Sequence, residues 1–217
     1  MKTVYLTGHR NFNNRGCEAI VRSTIKLLKK HNKDIKFIVP SNNINRDIKQ
    51  WPDSIKYGVL FVSYKIPYPL KVLWKVQKLL NLSKFDIFNY YPPSLKNIYE
   101  KVDIFLSIGG DNYSFDYTYP ADIIYLDRLA FKMKKPVILW GASVGRFERL
   151  PYLIPKIKHH LSQMKVIYVR EKISYKYSKE ILGLKNVKFS CDPAFALNKQ
   201  NNEDVDFFLN SLNTKRI

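Results

Sequence analysis

The chain has 217 residues, a length that suits one α/β domain or one domain and the start of another. Hydrophobic residues make up 46% and aromatic residues 14%, enough for a core and too many for a disordered chain. The formal net charge of +19 is carried mostly by lysines dispersed among Asn and Ile, and no nucleic-acid module accompanies it, so no nucleic-acid partner is expected.

No apolar run approaches the roughly 20 residues that span a bilayer. Residues 1–8 are too short for a signal peptide's apolar region and read as a first strand. Two cysteines, Cys17 and Cys191, are too few for a disulfide framework. A cytoplasmic protein is expected, with both thiols acting as small buried side chains.

Strands and helices alternate along the chain. Residues 4–7 read as a strand, and 16–30 as a helix with Cys17, Ile20, Val21, Thr24 and Leu28 on one face. Strands follow at 36–39, stopped by Pro40, and at 59–62. Residues 68–80 can form a basic amphipathic helix. Leu70, Leu73, Trp74 and Leu80 lie on one side, with Lys71, Lys75 and Lys78 largely on another. That pattern predicts weak association with anionic membranes at the inner face; packing on the sheet is the alternative. The apolar run 103–108 reads as a strand covered on both faces. Then come a helix at 119–134, a strand at 136–140, a helix at 153–164 and a strand at 166–169. A helix at 174–182, with Ser174 as N-cap and Gly183 as the residue after its end, leads to a last strand at 187–191. Residues 198–202 read as a linker and 203–212 as a further helix. The predicted fold is α/β, a Rossmann-like doubly wound parallel sheet.

In such sheets ligands bind outside the carboxyl ends of the strands. After the first strand comes an Asn- and Gly-rich loop, with Asn14, Gly16 and Glu18, that opens a helix whose first backbone N–H groups suit an anion or a sugar hydroxyl; a mere turn with Asn14 capping the helix is the plainer alternative. It has neither the Walker A ending nor the dinucleotide glycine spacing. After the central strand come Gly109, Gly110, Asp111 and Asn112, then Tyr113, Asp116 and Tyr117. Paired glycines let backbone approach a ligand, carboxylates bind or deprotonate sugar hydroxyls, and tyrosines stack on sugar rings. A hairpin-like loop with Asp111 in an Asx turn is the plainer alternative. Ser143 sits in a Gly-x-Ser-x-Gly string, but a nucleophile elbow needs a helix directly after the serine, and residues 146–151 read as loop. Arg146 and Arg170 are candidate anion contacts; a structural Arg170–Asp192 or Arg170–Glu171 ion pair is the alternative. Asp192 stands at the tip of the last strand. The four histidines show no zinc spacing, and no metal or cofactor is expected.

Taken in order, five blocks resemble the polysaccharide pyruvyl transferase family: Asn14-Arg15-Gly16-Cys17-Glu18-Ala19-Ile20, Gly109-Gly110-Asp111-Asn112, Gly141-Ala142-Ser143-Val144-Gly145, Arg170-Glu171-x-x-Ser174 and Asp192-Pro193-Ala194-Phe195. The resemblance covers roughly residues 3–197. It implies the first, Rossmann-like half (1–197) of a two-domain, glycosyltransferase-B-like enzyme, with 198–217 as linker and start of a second domain. It implies transfer of pyruvate from phosphoenolpyruvate to a sugar of a surface polysaccharide or lipid-linked glycan, as a ketal. Glu18 and Asp111 are then candidates for acid–base work or acceptor binding. Asn14, Gly16, Gly109, Gly110, Asn112, Ser143, Arg146, Arg170, Ser174 and Asp192 are candidate substrate contacts. The half that resembles the phosphoenolpyruvate-holding part of relatives is expected to be missing. A separate C-terminal half or a homo-oligomer is therefore the expected partner, and the chain alone is expected to be a poor catalyst. A nucleotide-sugar glycosyltransferase half and a non-catalytic glycan-binding domain are the rival readings.

Overall fold

The computed structural model describes residues 1–63, 68–69, 72, 76, 91–114, 120–149 and 151–197. Seven parallel strands form one sheet in the order β3-β2-β1-β4-β6-β8-β9. They are β1 (Lys2–Thr7), β2 (Ile35–Ser41), β3 (Val59–Ser63), β4 (Ile104–Ile108), β6 (Val137–Ala142), β8 (Val166–Val169) and β9 (Val187–Phe189). Order reverses between β1 and β4, which pair Val4–Thr7 with Ile104–Ser107. A doubly wound sheet opens its ligand crevice at that reversal.

Alternation along the strands sends side chains to two cores. Val4, Leu6, Phe37, Val39 and Leu106 face one side, where Ile20, Val21 and Ile25 of α1 (Arg15–His31) and Trp51, which follows α2 (Ile44–Gln50), cover them. Tyr5, Ile38, Phe105 and Leu139 face the other. There they meet α3 (Pro93–Glu100), α4 (Ala121–Lys132) and α5 (Ile154–Ser162). Burial on both faces explains why β4 reads as an apolar run, broken only by the buried Ser107. Among the described residues no helix is long and apolar enough to cross a membrane.

Several expectations are refined. The helix predicted at 174–182 starts earlier, as α6 (Lys172–Lys176), and continues as a π-helical turn, Tyr177–Ile181. Ser174 therefore lies inside the helix and is not its N-cap, a place held by Glu171. Gly183 does adopt the left-handed conformation, φ 62°, that ends the helix. The last strand stops at Phe189, two residues short of the predicted end. The loops after β4 and β6 pair with each other, β5 (Tyr113–Ser114) with β7 (Val144–Gly145), as a short parallel ladder and not a hairpin. Cys17 is half-buried and Cys191 exposed, so neither is the core thiol expected. The apolar and basic positions assigned to the membrane helix, the predicted helix at 203–212, and Asp116 and Tyr117 lie outside the described residues.

Candidate functional site

The loops at the carboxyl ends of β4, β6, β8 and β9 are tied together by one side chain. Arg170, directly after β8, donates from Nε to Ser143 Oγ at 3.1 Å, from Nη1 to Asp192 Oδ2 at 2.8 Å and from Nη2 to Asp111 Oδ1 at 3.0 Å. Charge-assisted bonds in this fork geometry are the strong kind. The structural ion pair with Asp192 is thus present, and Asp111 and Ser143 join it. Gly110 makes room for the guanidinium: a Cβ there would stand 2.9 Å from Nη1 and 3.2 Å from Cζ. The Ser143 N–H also donates to the Gly110 carbonyl at 2.7 Å, locking the two loops.

At the β1–β4 reversal, Asn112 folds back so that its Nδ2 donates to the Ile108 carbonyl. Its amide lies against Gly8, φ 88°, and Gly109, φ 132°, where any Cβ would overlap it. These two positions require glycine on both conformational and steric grounds. Gly141, φ 64°, leaves its space to the Pro193 ring in the same way, joining the end of β6 to the loop after β9.

The start of α1 belongs to the same edge. Asn14 caps the helix, the plainer alternative for this loop, its Oδ1 accepting from Gly16 N–H at 2.8 Å and Cys17 N–H at 3.3 Å. Burial raises the Cys17 thiol pKa, Arg10 lowers it and Asp111 raises it, so the thiol senses groups from both the β1 and the β4 loops. The short 3-10 turn Pro193–Ala196 packs on α1. Glu18 is buried and held by two guanidiniums, Arg15 Nη1 at 2.6 Å and Arg22 Nη1 at 2.9 Å. Both its oxygens are occupied. Ser174 is buried too; its Oγ accepts from Val144 N–H at 2.9 Å and donates to Glu171 Oε1 at 2.7 Å, which braces β7. Arg146 is exposed.

Three features of this edge carry no motif. Arg10 of the β1 loop pairs with Asp122 in the first turn of α4. His9 Nε2 lies 3.5 Å from Asp47 Oδ2 in a dry setting, and Asp47 Oδ1 accepts from Phe12 N–H at 2.9 Å. Burial raises the Asp47 pKa, but hydrogen bonds from His9, Phe12 N–H and Ser41 outweigh it and hold the carboxyl below its usual value. Beneath the β4 loop, Tyr113 Oη lies 2.6 Å from Asp127 Oδ2 and 2.8 Å from His160 Nε2, and Thr7 Oγ1 donates to Asp127 Oδ1 at 3.3 Å. Burial lowers the His160 pKa, with Asp127 only partly restoring it. Isolated in sequence, these residues gave no pattern; the 3.6-residue periodicity of α4 and α5 was their only signal.

The arrangement offers a rim of carboxylate, amide and hydroxyl groups with one guanidinium already neutralised by two acids. Among the described residues no three His, Cys, Asp or Glu side chains group as a metal site would.

No curated protein matches the chain. Among solved structures, S. aureus MnaA with UDP is 14% identical, with a TM-score of 0.49, 94% of this chain and 50% of that one covered. A UGT transferase from Siraitia grosvenorii with UDP is 8% identical, with a TM-score of 0.49 and coverage of 95% and 53%. The chain spans about half the length of each. A family model for polysaccharide pyruvyl transferase matches residues 14–213, from the Asn14 cap through every strand-end block described above, and the chain belongs to that family.

Proposed function

We propose that this chain forms the acceptor-side wall of an enzyme that moves pyruvate from phosphoenolpyruvate onto two hydroxyls of one sugar in a surface polysaccharide or lipid-linked glycan. The observation that carries the reading is the Arg170 fork, which gathers Asp111, Ser143 and Asp192 from three other loops on one rim in a chain of this family. Asp111, its side chain 37% exposed, is the carboxylate best placed to take a hydroxyl proton. Arg170 holds Asp111 in position and neutralises part of its charge. Glu18, with both oxygens on guanidiniums, orients Arg15 and Arg22 instead of exchanging protons.

In the reaction the methylene carbon of phosphoenolpyruvate gains a proton and becomes a methyl group. Two hydroxyl oxygens bond to the neighbouring carbon, and its bond to the phosphate oxygen breaks. Of the two hydroxyl protons, one balances that on the methyl group and the other leaves on phosphate. The anionic donor needs uncompensated cations. On this wall exposed Arg146 is the candidate, since Arg170 already faces two carboxylates. The remaining donor contacts belong to parts of the enzyme outside this wall, in keeping with a glycosyltransferase-B-like, two-half architecture.

The test is phosphate release from phosphoenolpyruvate in the presence of galactose-, mannose- or N-acetylhexosamine-terminated acceptors. The reading requires release that depends on an acceptor and is lowered by Asp111→Asn. Transfer from a nucleotide sugar with phosphoenolpyruvate untouched would replace it with the glycosyltransferase reading.

A further inference from the structure

The carboxyl-end rim is not the only built concavity. A cavity of about 540 Å³ lies at the opposite edge of the sheet, between α5 and the turn that enters β9. On its walls Asn186 directly precedes β9 and Ser162 ends the helix that leads into β8, whereas Arg170 and Asp192 follow the same two strands. The cavity is therefore separate from the proposed acceptor site.

Its lining carries Lys158, His159 and Lys185 beside the apolar Pro155 and Leu184, with no carboxylate. Cations at the end of a helix usually serve its free carbonyls. Here those carbonyls are met by other groups. Ser162 Oγ and Gln163 Nε2 both donate to the His159 carbonyl, at 2.8 and 3.3 Å. Asn186 Nδ2 donates to the Leu161 and Met164 carbonyls at 3.1 and 2.7 Å. Among the described residues Lys158 and Lys185 have no side-chain hydrogen bond or ion pair of their own. The walls are also preformed. Asn186 ties the β9 turn to α5, and Lys179 Nζ donates to the Lys185 carbonyl at 3.2 Å. Gly183, in its left-handed conformation, leaves space beside Lys158, whose Nζ would stand 3.3 Å from a Cβ at that position.

Two uncompensated ammonium groups beside an apolar lining suit a dianionic or monoanionic phosphate attached to an apolar or neutral stem. We propose that this cavity is an anion site for a phosphate ester. The ester arrives either as the headgroup of an anionic lipid or as a small soluble phosphate.

The experiment compares the wild-type chain with Lys158→Glu/Lys185→Glu and with a control pair of the same net charge, Lys49→Glu/Lys96→Glu, both exposed elsewhere. One arm measures co-sedimentation with phosphatidylglycerol–phosphatidylcholine vesicles at low salt, against phosphatidylcholine alone. The other follows amide shifts of Gly183 and Asn186 on adding glycerol 3-phosphate. The cavity pair should lose affinity about tenfold or more, given the usual worth of a lysine near an anionic surface, while the control pair stays within about twofold. Loss in the vesicle arm identifies a headgroup; loss confined to the second arm identifies a soluble ester. The milder pair Lys158→Gln/Lys185→Gln, with unchanged thermal unfolding, shows the same loss without charge reversal. Equal weakening of the cavity and control pairs, or no binding in either arm, overturns the proposal.

Discussion

The guanidinium of Arg170 packs directly on the backbone of Gly110, leaving no room for a side chain between them. Gly110 has no left-handed φ, so alanine is conformationally allowed there and its effect is steric. Gly110→Ala should push the guanidinium off Asp111 and Asp192, at a cost of about 1–3 kcal/mol, the usual penalty of overpacking. Urea unfolding measures the cost, and the Arg170 Nε–H resonance should move with it. An unmoved resonance would contradict the packing.

Arg170→Lys keeps the charge but not the fork. A lysine reaches one carboxylate and leaves Ser143 and the other acid without their guanidinium donor. The expected result is a loss of about 2–4 kcal/mol in unfolding free energy, since hydrogen bonds to charged groups are worth about 1.5–3 kcal/mol each. Transferase activity should fall more steeply than stability alone explains, because positioning supplies much of the rate. Denaturation and turnover measured on the same preparation separate the two effects.

The two candidate carboxylates should behave differently on amide substitution. Glu18→Gln weakens two ion pairs at a buried position and should destabilise by about 1–3 kcal/mol, with turnover otherwise retained. Asp111→Asn keeps an oxygen for Arg170, so folding should change little, while turnover falls about 100-fold or more if Asp111 is the base. Equal effects of both substitutions on turnover would remove the distinction.

The alternation of apolar runs and helical stripes makes the doubly wound sheet legible in the sequence, because two-faced burial writes largely apolar strands such as β4. Asn14 as cap and Gly183 as helix end were legible for a similar reason: both satisfy a local backbone need. Ser174 was misplaced because the same capping chemistry is satisfied across space, by Val144 N–H. The Arg170–Asp192 pair was an open alternative, but its extension to Asp111 and Ser143 was not. Those residues are 59 and 27 positions from Arg170, and no local pattern links them. The Tyr113–Asp127–His160 group stayed hidden because each member sits on an otherwise ordinary apolar face.

His160 gives stability a pH signature. Its folded pKa lies below the ordinary value of 6.5, so between the two the unfolded chain binds a proton that the folded chain does not. Its contribution is present above pH 6.5 and is lost as pH falls below that value. Asp47, whose folded pKa is also lowered, adds a second loss only nearer pH 4, as pH falls through its unfolded and then its folded value. Thermal unfolding from pH 8 to pH 4 should show a decline beginning near pH 6.5. His160→Gln should flatten that first segment and leave the acid limb. An unchanged slope in the variant would show that His160 does not drive it.

The most direct test follows the carbon that the reaction joins to the sugar. Phosphoenolpyruvate labelled with ¹³C at its central carbon is incubated with the enzyme and a panel of sugar-terminated acceptors, and the label is followed by NMR. The account predicts that the label becomes a quaternary ketal carbon bonded to two oxygens of one sugar residue, with one phosphate released per ketal, and that Asp111→Asn slows its appearance. Label remaining in phosphoenolpyruvate or appearing as free pyruvate, with sugar transferred from a nucleotide donor instead, would contradict it.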